Sequence, residues 1–165
     1  MGRTCIVVAD GGRARVFLLE ASEAPRAPFR LVERGALDNP DLRSRGFSAT
    51  GRPPTETNSG REAGPVHPMG AQRERHGIEL ERRFAMEIAR KTAALVESWS
   101  DGVVVLVADP RMLGLLREAA RAALKPGVRV KELAKDYTQL PVTALHDLLV
   151  QSGVMQGPPA RPTQP

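Results

Sequence analysis

Two runs in this chain are apolar without interruption, CIVVA at residues 5–9, preceded by Thr4, and VVVLVA at 103–108. A strand with one wet face alternates between apolar and polar residues. A continuous run therefore predicts a strand covered on both faces, as in the middle of a sheet with helices against it. Each run is followed at once by an aspartate, Asp10 and Asp109. The rest of the fold has to be arranged around these two strands.

Residues 13–20 (RARVFLLE) alternate and then turn apolar, which suits a second strand, and 29–37 (FRLVERGAL) read as a weaker third. Between the first two, Asp10-Gly11-Gly12 supplies the residues that a tight hairpin needs. A phosphate-binding loop would require a helix N-terminus after the glycines. A strand follows instead, so that reading fails. Residues 74–99 carry Leu80, Phe84, Ile88, Leu95 and Trp99 near one stripe and predict a long helix. Asp109-Pro110 joins an N-cap residue to a proline at the first helical position, and Met112, Leu116, Ala119 and Ala123 then face inward. A strand at 128–133 and a helix at 141–150, with Val142, Leu145 and Leu149 on one face, complete the order β-β-β-α-β-α-β-α. This order predicts an α/β fold: a mixed five-stranded sheet, its first, fourth and fifth strands parallel, with helices packed on the sheet. Residues 1–150 are expected to form one domain with a long flexible loop at 38–73, rich in Gly, Pro, Ser and Thr. Residues 151–165 are expected to form a disordered Pro-rich tail.

Charge narrows the partner. The 165 residues carry 24 Lys and Arg against 19 Asp and Glu, a net charge of +5, with a pI near 10.1. That balance suits an anionic partner, nucleic acid first. The chain has only four Phe, one Trp and one Tyr, too few for a base-stacking platform once core positions are filled. The single cysteine, Cys5, lies inside a buried strand, so disulfides within the chain and multi-cysteine zinc sites are excluded. His67, His76 and His146 are too scattered for a recognised metal spacing, no Gly-x-Ser-x-Gly element is present, and no cofactor is expected. No signal peptide or membrane-spanning run is evident, which leads to the expectation of a cytoplasmic protein without membrane insertion.

The stretches VVADGGRARVF, DNP after the third strand, VVLVADPRMLGLLR and KELAKDYTQLPV together resemble the host attachment protein family over about residues 4–149. That family is similar to the central domain of the class-one peptide-chain release factors of eukaryotes and archaea, which implies a ribonuclease-H-like sheet. In release factors a loop after the third strand carries Gly-Gly-Gln. Here Gly70-Ala71-Gln72 falls at the corresponding place. The Cβ of Ala71 stands where the second glycine would be, so the resemblance implies little or no peptide release even if the two motifs correspond. The tripeptide also reads, and more simply, as the lead-in to a helix.

Three functional readings stay open. The first is a non-catalytic RNA- or ribosome-binding module that uses Arg43, Arg45, Arg52 and Arg61 in the loop, with Gly70, Ala71, Gln72, Arg73 and Arg75 at the helix entry. The second is a protein-interaction or attachment-related regulator whose loop folds on a partner. The third is a magnesium-dependent nuclease with Asp10, Asp109 and Asp136, each just after a parallel strand. Each aspartate also has a structural use, in the hairpin, the helix cap and the turn KDYTQLP respectively.

Overall fold

The computed structural model describes residues 3–23, 29–39 and 68–155, with side chains from residue 75 onward in the last of these. The strands are β1 (Thr4–Ala9), β2 (Arg13–Ala21), β3 (Phe29–Asp38), β4 (Gly102–Ala108) and β5 (Val128–Ala134). The helices are α1 (Pro68–Leu95), α2 (Pro110–Ala123) and α3 (Val142–Gln151). The sheet runs β3-β2-β1-β4-β5. β1 and β2, and β2 and β3, pair antiparallel, while β1, β4 and β5 are parallel. This is the mixed α/β sheet that the sequence predicts, with the two uninterrupted apolar runs side by side at its centre.

The reason those runs do not alternate is visible in their burial. Cys5, Val7 and Ala9 of β1 join Val104, Leu106 and Ala108 of β4 in a core under α1 and α2, with Phe84, Ile88, Met112 and Leu116. Ile6 and Val8 join Val105 and Val107 on the other face, covered by Leu145 and Leu149 of α3. Every residue from Cys5 to Ala9 is at most 1% exposed. Each fully buried Val, Leu or Ile contributes about 1.5–3 kcal/mol relative to exposure, so both faces of the central strands are heavily invested in the core. The outer strand β5 reads differently, with only Val128 buried and 129–132 exposed.

Three boundaries differ from the sequence reading. Helix α1 starts at Pro68, not residue 74, and so takes in Gly70-Ala71-Gln72. Pro and Gly look like loop punctuation in a sequence, but proline at the first helical turn lacks only an N–H that has no partner there anyway. α1 also stops at Leu95, and Trp99 is reached through a turn in which its N–H donates to the Val96 carbonyl at 3.0 Å. At the other end, Met155 is 6% exposed and packs into the α3 core, so the ordered chain runs past residue 150. The expected loop and tail otherwise fall on 40–67 and 156–165, outside the described residues.

Trp99 explains a glycine. Gly102 opens β4 with φ +153°, and a Cβ placed on it would lie 2.6 Å from Cε3 of Trp99 and 3.0 Å from the Arg3 carbonyl oxygen. Backbone conformation and space both demand glycine there. Gly102→Ala should lower stability in urea unfolding by about 2–4 kcal/mol. Gly114→Ala, at an α2 position where a Cβ would meet nothing within 4 Å, should raise it by about 0.5–1 kcal/mol. Equal effects at the two sites would refute this account.

Candidate functional site

The carboxyl ends of the parallel strands are the first place to look for chemistry, because loops leaving them converge at one edge. Val8 is in register with Val107, and Ala108 with Ala134. Asp10, Asp109 and Asp136 therefore emerge along one edge of the sheet.

Their side chains go to different tasks. Oδ1 of Asp10 accepts from the backbone N–H groups of Gly12 at 2.7 Å and Arg13 at 2.8 Å, while the Asp10 N–H donates to the Arg13 carbonyl at 2.9 Å. That is the hairpin closure read from the sequence. Oδ1 of Asp109 accepts from the N–H groups of Arg111 and Met112, both at 3.0 Å, and caps α2. Asp136 does more than hold its own turn. Its Oδ1 lies 2.9 Å from the hydroxyl of Thr138, and the same hydroxyl lies 3.1 Å from Oδ2 of Asp10. Thr138 is 3% exposed. One O–H carries one proton, so it serves one of the two carboxylates at a time. Thus Asp10 and Asp136 meet through Thr138, and Asp109 is committed to the helix.

Neighbouring elements lock this knot. Asn39, buried just after β3, donates from Nδ2 to the Gly11 carbonyl at 3.3 Å and from its backbone to the Gly12 carbonyl at 2.9 Å. Arg15 of β2 donates to the Leu140 carbonyl at 2.7 Å, and its guanidinium lies 4.8 Å from the centre of the Phe17 ring. Residues 135–141 are consequently tied down at both Thr138 and Leu140.

Glu81 of α1 leans over the turn. A Cβ on Gly11 would lie 3.1 Å from its Oε1, a tight contact that the glycine leaves relaxed. Its Oε2 is 3.2 Å from Nε of Arg111, and its side chain is only 17% exposed. Burial pushes the Glu81 carboxyl above its ordinary range; Arg111 pulls it back, and Asp109 and Asp10 add to the rise. Sequence reasoning missed Glu81, Thr138 and Asn39. For Glu81 there was a signal: it stands three and seven residues before Phe84 and Ile88, a carboxylate on the buried face of a helix.

Among the described residues, no group of three or more His, Cys, Asp and Glu is placed to hold a metal ion. Burial pushes the Cys5 thiol up to about 12, which keeps it protonated at neutral pH and unreactive as a nucleophile. Also among the described residues, no helix is long and apolar enough to cross a membrane.

Of the arginines singled out in the sequence, Arg43, Arg45, Arg52 and Arg61 lie outside the described residues, as does His67. Gly70, Ala71, Gln72 and Arg73 are on the helical backbone of α1, and Arg75 is exposed. Further arginines follow on the solvent side of the same helix: Arg82, Arg83 and Arg90. Glu79 serves two of them, at 3.2 Å from Arg82 and 3.5 Å from Arg83.

The raised Glu81 value sets a sign. The folded state holds the proton more tightly than the unfolded chain does. Its contribution is thus complete below the ordinary glutamate value of about 4.3 and is lost as pH rises through the folded value. Glu81→Gln should therefore gain stability over the unsubstituted protein as pH is raised from 4 to 7, read as a widening Tm difference; parallel profiles would show that Arg111 fully compensates the burial. Thr138→Val strips the shared hydroxyl from two carboxylates and should cost about 1–3 kcal/mol, measured by urea unfolding at neutral pH.

Comparison with known proteins adds a family. No curated protein matches the chain. Among solved structures, the type II variant of the Aquifex aeolicus Ppx/GppA phosphatase is similar at 11% identity and a TM-score of 0.39, over 80% of this chain and 36% of that one. A second structure of the Aquifex aeolicus member of the Ppx/GppA family matches at 11% identity and a TM-score of 0.40, over 81% and 35%. The chain spans about a third of the length of these proteins. Residues 5–149, from β1 into α3, match the family described as "Protein required for attachment to host cells", and the chain belongs to this host attachment family.

Proposed function

We propose that this member of the host attachment family is a non-catalytic cytoplasmic binding protein that associates with RNA or the ribosome through arginines. The observation that carries the reading is the charge on the outward side of α1. Against Arg75, Arg82, Arg83, Arg90 and Lys91 stand two outward carboxylates, Glu79 and Glu87; Glu79 is shared by Arg82 and Arg83, and Arg75 and Arg90 form no ion pair among the described residues. Positive charge is left over along a helix, in a form suited to phosphate. Guanidinium forks bind phosphate oxygens bidentately and need no base readout.

Two features support a backbone-reading mode. Phe17, Phe84 and Trp99 are buried and cannot stack on bases. Asp10 and Asp109 already accept paired backbone N–H groups, which uses one oxygen of each for architecture. The ribosome is taken as the source of the RNA on the release-factor resemblance of the sequence alone. With Ala71 in a helical backbone, the reading assigns no peptide-release activity to Gly70-Ala71-Gln72. The loop arginines Arg43, Arg45, Arg52 and Arg61 would extend the same surface.

The test is co-sedimentation with ribosomes on sucrose gradients, repeated after deletion of residues 43–69, alongside RNA binding titrated against salt. Association should weaken on deletion. Each of Arg75→Ala and Arg90→Ala should flatten the slope of log K against log salt by roughly 0.7–0.9, the loss of one phosphate contact. Absence of co-sedimentation together with unchanged slopes would overturn the proposal.

A further inference from the structure

The sheet ends in two edge strands, β3 on one side and β5 on the other, and they are not alike. On β3 the charges are met from the neighbouring strand: Glu33 lies 3.3 Å from Arg15, and Arg34 pairs with Glu20. The β2–β3 ladder also slips register between Val16 and Phe17, and such an irregularity turns an edge away from further pairing. β5 shows neither device. Its pairing with β4 runs in unbroken register from Val128 to Ala134, so alternate residues turn their N–H and C=O groups away from β4 in a regular row.

The side chains along that row divide by face. Val128 belongs to the core under α1 and α2, and Glu132 pairs with Arg117 of α2. Val130, between them, is therefore on the same side, where it is 38% exposed. Leu133 packs toward α3, which puts Arg129 and Lys131 on that opposite side. Both are exposed, and neither forms an ion pair among the described residues. Acids nearby do not cancel them. Glu132, the one carboxylate within the strand, is taken by Arg117 at 2.8 Å, and Asp136, past the strand's end, is turned to Thr138. The edge thus presents basic, apolar and basic side chains at successive positions, beside unpaired backbone groups.

We propose that β5 is a docking edge for an extended strand of a partner protein whose side chains read acidic, apolar, acidic. Residues directly opposite in paired strands share a face, so the two acids fall against Arg129 and Lys131, and the apolar residue between them against Val130. Backbone hydrogen bonds supply affinity in this mode, and the alternating side chains supply selectivity. A second copy of β5 does not fit. Two-fold pairing centred on Val130 sets Arg129 opposite Lys131 of the second copy, and centred on Lys131 it sets lysine against lysine. Nucleic acid is a poorer match as well, because phosphodiester oxygens only accept hydrogen bonds and leave the outward carbonyls unanswered. The proposal stands apart from the RNA reading, whose arginines lie on α1 and between residues 43 and 61.

The experiment follows fluorescence anisotropy of a labelled peptide, Thr-Glu-Val-Glu-Val-Glu-Thr, as the full chain is added after nuclease treatment. Saturable binding is expected. Methylating the peptide's backbone nitrogens at one alternate set of residues should abolish it, while methylating the other set should spare it, since only one set faces β5. The rearranged peptide Thr-Glu-Glu-Val-Val-Glu-Thr has the same composition without the alternation and should bind about tenfold more weakly. The double variant Arg129→Glu, Lys131→Glu, surface changes whose folding is checked by circular dichroism and Tm, should weaken binding about tenfold or more and accept a peptide with lysine in place of every glutamate. No saturable binding would overturn the proposal. So would equal affinity for the rearranged peptide, indifference to methylation of either set, or RNA that displaces the peptide and is itself no longer bound by the double variant. Peptide binding lost in the double variant with ribosome co-sedimentation retained is the expected pattern, and it separates failure of one reading from failure of the other.

Discussion

The parallel pairing of β1 with β4 is the constraint on which everything else rests. Val7 against Leu106 and Val8 against Val107 put apolar side chains on both faces of the sheet at once. Neither face can be left to water, because the central residues are at most 3% exposed on either side. A layer of helices is therefore required above and below, and α1 with α2 on one face and α3 on the other answer that requirement. The same pairing aligns the strand ends, and so decides that Asp10 and Asp109 leave the sheet side by side.

What forms at that edge is a polar knot in which most oxygens already have work. The backbone donors of the hairpin and of α2 take one oxygen each from Asp10 and Asp109. The hydroxyl of Thr138 lies between the second oxygen of Asp10 and Asp136. A carboxylate used in this way lowers the cost of ending a strand sharply, since the backbone groups released from the ladder must be satisfied somewhere. Glu81 is the exception. It stays partly buried against like charges because Arg111 is beside it, and the combination of burial and an ion pair leaves its protonation sensitive to small changes nearby.

Sequence reading succeeded where the signal was local or strongly periodic. The two uninterrupted runs, the Asp-Gly-Gly turn and the Asp-Pro helix start each fix a conformation with neighbouring residues alone, and the strand and helix order followed from them. It failed where the cause was tertiary. Nothing near Thr138 in the chain tells that its hydroxyl reaches Asp10, 128 residues away. Asn39 sits in a DNP segment that reads as a turn, yet it is buried because β3 delivers it against the hairpin. Gly70 and Pro68 argued for a loop by composition, and helical backbone overrode them. The functional arginines expected in the loop were chosen by charge alone, a property with little geometric content, whereas those on α1 acquire a fixed spacing from the helix.

That spacing is what separates a basic surface from a basic composition. An arginine on a free chain must lose the freedom of its backbone as well as its side chain when it grips a partner, at about 1–2 kcal/mol for each residue ordered. On α1 the backbone has already been ordered by the core beneath it. Phe84 and Ile88 are buried under the helix, and the Lys91 stem lies over Gly35 of β3, where a Cβ would come within 2.7 Å of its Cε. Arg75, Arg82, Arg83 and Arg90 are thus held along a rigid rod about 22 Å in extent. Only their side chains remain to be ordered, so an anion gripped along α1, as proposed, would meet a surface whose larger entropic term folding has already met.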